Sequence, residues 1–99
     1  MEWIGFVKKE NVKKAEEILK KDFDIAAKES ITVRDAKALN IKHEGSFFLI
    51  RGSDHGVNHC KNLIKEFVVD IDEKDLDKAK EEIKKEEEKA AEGFGGIFG

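Results

Sequence analysis

The run Ser46-Phe47-Phe48-Leu49-Ile50-Arg51 constrains this chain more than any other segment. Successive side chains of an extended strand point to opposite faces. Phe48 and Ile50 therefore share one face, and Phe47 and Leu49 the other. A strand that is apolar on both faces needs cover on both. The run is the expected central strand of a sheet with material packed on each side, and Gly45 and Gly52 bracket it.

The remaining elements are read outward from that strand. Trp3-Ile4-Gly5-Phe6-Val7 reads as a first strand. Asn11 is a candidate N-cap, after which Val12, Ala15, Ile18 and Leu19 fall on one helical face. Lys20 and Lys21 suit the negative end of that helix. Phe23-Asp24-Ile25 alternates like a short strand, and Ile31-Thr32-Val33 is β-branched throughout. A hairpin or one bent strand is expected to account for both. Asp35 to Leu39 reads as one or two helical turns closed by a left-handed Asn40.

Beyond the central strand, Ser53 or Asp54 caps a second helix. Val57, Cys60, Ile64 and Phe67 repeat at three to four residues and mark its buried face. Val68 to Ile71 reads as a short edge strand. Asp72 then caps a third helix running to about Glu92. It carries a thin apolar stripe of Leu76, Ala79, Ile83 and Ala90, with Glu81 and Lys85 as an i, i+4 pair. Propensity alone leaves such a helix marginal, so it needs tertiary contact or a partner.

This order predicts the α+β class: a ferredoxin-like or related β-α-β-β-α sheet with helices packed on one face, plus a charged C-terminal helix. A chain of 99 residues suits one domain, placed at residues 1–92. Residues 93–99 form a Gly/Phe-rich tail. Its large apolar groups, Phe94, Ile97 and Phe98, are candidate interaction residues. Burying each would contribute about 1.5–3 kcal/mol. The expected seat is the Phe47–Leu49 side of the chain's own sheet, with a frayed terminus or a groove on a partner or second copy as the alternatives.

Composition narrows habitat and partners. The chain has 17 Lys against 2 Arg, with no Gln, Pro or Tyr. Enrichment in Lys and Glu is the pattern of hyperthermophile proteomes, so a thermophilic archaeal source is expected. Cys60 is the only cysteine and can form no intramolecular disulfide, which suits a reducing cytoplasm. No apolar run approaches the roughly 20 residues that cross a bilayer, and the acid at position 2 is unlike a signal peptide. A soluble cytoplasmic domain is the expectation.

The formal net charge of −3 divides unevenly, +1 over residues 1–50 and −4 over residues 51–99. Nucleic-acid affinity rests on clustered Lys and Arg. Here the pairs Lys8–Lys9, Lys13–Lys14 and Lys20–Lys21 are diluted by Glu10, Glu16, Glu17 and Asp22. Neither nucleic acid nor an anionic membrane is an expected partner.

No cofactor is expected, and two constellations leave room for a divalent metal as the alternative. His55 and His59 are four apart on the second helix, a spacing at which imidazoles chelate zinc, nickel or copper. Cys60 lies roughly 100° round the helix from His59, on the core side, so the histidines are expected to face solvent. The second constellation is the acidic run from Asp70 to Asp77. Asp70 and Asp72 there are candidate ligands for a hard cation. An EF-hand register from Asp70 fails, because Lys74 and Asp75 stand at its fifth-ligand and glycine positions.

Further features carry less chemistry. The turn Ile50-Arg51-Gly52-Ser53-Asp54 offers backbone N–H groups at a helix start, a generic anion site, but Asp54 in that turn repels anions. His43 beside Glu44 can form a polar pair. No Ser–His–Asp or Cys–His set follows from spacing, and a buried thiol is inert, so catalysis is not expected.

The segment from Ile50 to Ile64 resembles the last strand and helix of KH domains. Ile50, Gly52, Val57 and Ile64 stand at that family's apolar and glycine positions, and Cys60 replaces the usual small residue. The resemblance covers about 15 residues and implies a shared packing pattern. The G-x-x-G loop by which that family clamps nucleic acid is absent upstream of Ile50. The leading expectation is thus a small non-catalytic binding or regulatory module acting through protein–protein contact, with a homodimer as one form. A metal-binding protein is the alternative, and a degenerate KH-like RNA-binding module the third reading.

Overall fold

The computed structural model describes the backbone of residues 1–98 and the side chains of residues 1–90. Its elements are β1 (Glu2–Lys8), α1 (Val12–Lys21), β2 (Ser30–Asp35), β3 (Gly45–Arg51), α2 (Asp54–Ile64), β4 (Val68–Val69) and α3 (Glu73–Phe98). Single 3-10 turns occupy Lys9–Asn11, Ala26–Lys28 and Lys37–Leu39. The strands form one antiparallel sheet in the order β2-β3-β1-β4. The domain is α+β, and no helix among the described residues is long and apolar enough to cross a membrane.

β3 is central, as its composition requires. It pairs with β1 over Glu2↔Arg51 to Lys8↔Gly45 and with β2 over Ser30↔Arg51 to Asp35↔Ser46. Phe47, Phe48, Leu49 and Ile50 are all 0% exposed, so neither face meets water. On one face Phe48 and Ile50 pack with Val7, Ala15 and Leu19 of α1, and Val57, Cys60 and Ile64 of α2. On the other, Phe47 and Leu49 pack with Phe6, Leu39, Ile41, and Ala79 and Ile83 of α3. Packing of helices on one face therefore holds for α1 and α2 only. α3 covers the opposite face, the one the sequence offers to the tail. The backbone continues as α3 through Phe98 instead of ending near Glu92, and docking of the Phe94, Ile97 and Phe98 side chains lies outside the described side chains.

α3 is held by charge as well as by apolar contact. Among the described side chains its buried stripe ends at Ile83, and Ala90 is exposed. In the next turn Glu86 and Glu87 take over the inward side. Arg34 Nε of β2 donates to Glu86 Oε2 at 2.9 Å. Arg51 of β3 makes a two-pronged pair with Glu87, in which Nη1 donates to Oε2 at 3.0 Å. Lys84 Nζ donates to Glu2 of β1 at 3.0 Å, with Lys80 3.6 Å from the same carboxylate. Both arginines of the chain thus tie the sheet to one helix, where the planar guanidinium fits a carboxylate best.

Several local expectations need correction. Residues 23–25 form no strand. Asp22 turns the chain instead, its Oδ1 accepting from the backbone N–H of Ile25 at 3.1 Å and of Ala26 at 3.4 Å. Phe23 is left 75% exposed. Asn11 makes no side-chain cap bond, because a 3-10 turn leads directly into α1. Phe67 falls beyond the end of α2 and is only partly buried against the core. Lys85 pairs with Glu82 rather than Glu81. The Ser53 cap is present, its Oγ accepting from Gly56 N–H at 3.0 Å. Asn40 is left-handed at φ 60°.

Candidate functional site

His59 is not a free surface imidazole. It projects from α2 toward the turn after α1, where its Nε2 lies 2.5 Å from Asp22 Oδ2. An ionised carboxylate only accepts, so Nε2 carries the proton and donates. The other oxygen of Asp22 serves the turn, and the side chain is partly buried. The His59 imidazole, ahead of the two backbone N–H groups, holds the Asp22 carboxyl below its ordinary value of 3.8. His55 is exposed, with its ring stacked near that of His59 at a centroid separation of 6.5 Å. The pair therefore presents one exposed imidazole and one already engaged in the fold.

Glu2 and Glu87 are lowered in the same sense, chiefly by hydrogen bonds from Lys84 and Arg51 respectively, from an ordinary value of 4.5. A carboxyl with a depressed folded-state pKa contributes stability above its unfolded pKa and loses it as pH falls through the folded value. Thermal unfolding followed against pH should therefore show a melting temperature that drops below about pH 4.5. Asp22→Asn should remove part of that drop. An unchanged profile in Asp22→Asn would assign the acid sensitivity to the α3 pairs alone.

The acidic run is distributed among structural tasks. Asp72 Oδ1 accepts from Lys74 N–H at 3.1 Å at the start of α3. Asp75 reaches His43, and Asp70 is exposed. Among the described residues no three His, Cys, Asp or Glu side chains converge as a metal site. Cys60 is fully buried on α2, and burial pushes its thiol up. The Gly52–Gly56 turn is occupied from within. Glu29 lies so close that a Cβ at either glycine would collide with its carboxylate. Sequence reasoning missed Glu29, because it lies over 20 residues from the turn it fills.

Two of the concave features bear on binding. A groove of about 260 Å³ runs between α1 and the outer edge of β2, lined by Glu16, Leu19, Lys20, Ile31, Val33 and Phe48. An open cleft of about 780 Å³ is lined by Lys37, Asn40, Ile41, Lys42, His43 and Glu44. Behind it His43 Nε2 is 3.0 Å from Asp75 Oδ2, and the His43 ring leans on Phe6 at 5.3 Å between centroids. The expected local His43–Glu44 pair is replaced by two pairs, His43 with Asp75 and Glu44 with Lys37. Compared with protein-family models, curated proteins and solved structures, the chain matches none.

Proposed function

We propose that this chain is a small non-catalytic binding module of ferredoxin-like topology that acts through protein contact, with a second copy of itself as the partner. The β-α-β-β-α-β order and the strand order β2-β3-β1-β4 support the topology. The observation that carries the function is the β2 edge. Its six residues end the sheet on one side, whereas β4 at the other edge has only two. An edge of that length offers a row of backbone donors and acceptors to another strand.

Ile31 and Val33 sit half-buried on the side facing α1, beside the 260 Å³ groove. Two β2 strands related by a two-fold axis through Thr32 would place Ile31 opposite Val33 of the second copy. Opposed residues of an antiparallel pair share a face, so the apolar side of each strand would meet its like. The arrangement buries no charge at its centre.

Light scattering across a concentration range tests this reading. The mass should rise from one chain toward two with concentration. Val33→Lys, with folding checked by circular dichroism, should hold the protein at one chain, because an edge lysine opposes pairing. A wild-type mass that stays at one chain throughout, or a dimer unaffected by Val33→Lys, rejects the β2 edge as the contact.

A further inference from the structure

The geometry points to a second binding site, independent of the β2 edge. The cleft of the 36–44 segment receives a small oxyanion, the phosphate or carboxylate of a metabolite, on the ammonium groups of Lys42 and Lys37, with the His43 ring as its wall.

The segment is unusually well tied for a loop. Ile41 N–H donates to Ala36 O at 2.9 Å, and His43 N–H to Ile41 O at 3.0 Å, a tight turn that sets Lys42 at its apex. Lys37 N–H donates to Asp35 Oδ1 at 2.8 Å, Lys9 N–H to Glu44 O at 3.2 Å, and Lys78 Nζ of α3 to Asn40 O at 3.0 Å. Both ends and the middle of the loop are therefore fixed before any ligand arrives, which lowers the ordering cost of binding.

The charges left over decide the class of ligand. Glu44 is matched by Lys37, and Asp75 by His43. Asp35 is turned to the backbone N–H of Lys37. Lys42 is exposed and makes no ion pair among the described residues. The cleft thus keeps one uncompensated cation at its apex. Lys37 is held to Glu44 only at 3.4 Å, with both side chains 72% exposed, so it can exchange that partner for a ligand oxyanion. Asp75 grips the far nitrogen of the His43 ring, and Phe6 supports its plane. The ring is oriented from behind, and Nδ1 is without a partner among the described residues. Charge-assisted N–H···O⁻ bonds from the two lysine ammonium groups are the strong ones.

The test is an NMR titration of the intact chain with inorganic phosphate, and separately with succinate, at constant ionic strength. Saturable shifts are expected at the backbone of Lys42, His43 and Glu44 and at the His43 ring. Lys42→Ala, an exposed change that leaves the loop's backbone bonds intact, should weaken binding about tenfold; Lys42→Arg should retain it. Saturation by phosphate alone assigns the site to phosphorylated ligands, and by succinate alone to carboxylates. Non-saturating shifts with both anions, or equal affinity in Lys42→Ala, would overturn the proposal.

Discussion

Phe48→Ala lowers the free energy of unfolding by about 3–5 kcal/mol, and Phe47→Ala by a similar amount, although the two residues are neighbours in sequence. Both are 0% exposed, and each removal leaves a void that close-packed surroundings refill only in part. The voids open on opposite sides of the sheet. Phe48 packs with Val7, Ile50, Val57 and Ile64 under α1 and α2. Phe47 packs under α3 and meets the Phe6 ring at 5.2 Å between centroids in a tilted geometry. Chemical denaturation reads the two losses, and amide exchange separates them. Phe47→Ala should speed exchange in α3 first, and Phe48→Ala in α1 and α2, because local opening follows local contact. Phe23→Ala is the control, expected within about 0.5 kcal/mol, since its ring is largely in water. A loss below about 1 kcal/mol at Phe47 would mean that α3 does not seal the second face.

Gly45→Ala costs about 3 kcal/mol or more, the largest effect expected of any single added methyl group. Gly45 opens β3 at φ +158°, where a side chain is disfavoured. A Cβ there would collide with the carbonyl oxygen of Val7 and come within 2.6 Å of the Phe6 ring. The oxygen belongs to the backbone of β1, paired with β3 at this point through Lys8↔Gly45, so relief requires the strands to part. Gly52→Ala and Gly56→Ala make the contrast. Their new methyl groups would meet the end of the Glu29 side chain, which can swing away. Each should cost under about 1 kcal/mol, and at Gly56 the gain in helix propensity offsets part of that. Equal destabilisation at positions 45, 52 and 56 would refute the distinction between a backbone and a side-chain obstacle.

The features legible in the sequence are those whose cause lies within a few residues. Alternating apolar side chains on both faces of residues 46–51 force β3 to the centre of the sheet. Ser53 caps α2 through Gly56 N–H, three residues on. Val57, Cys60 and Ile64 share a buried helical face, and Asn40 adopts the left-handed conformation that ends its turn. Each follows from helix or strand period, or from the reach of one short side chain.

Tertiary structure decided the rest, because its causes join residues far apart. Phe23-Asp24-Ile25 alternates like a strand, but Asp22 gathers the Ile25 and Ala26 N–H groups and is itself held by His59, 37 residues away. The same contact turns a histidine of chelating spacing into a structural tie. Asp75, one carboxylate in an acidic run, acquires a distinct position by meeting His43 across 32 residues. α3 reads as a charged helix on either side of the sheet. Arg34, Arg51 and Glu2, set on one face by strand parity, meet Glu86, Glu87 and Lys84 across 36 to 82 residues and so select the face. Local periodicity states which side of an element is apolar. It carries no term for which distant charge will complete a pair, and that pairing distinguishes the two faces of this sheet.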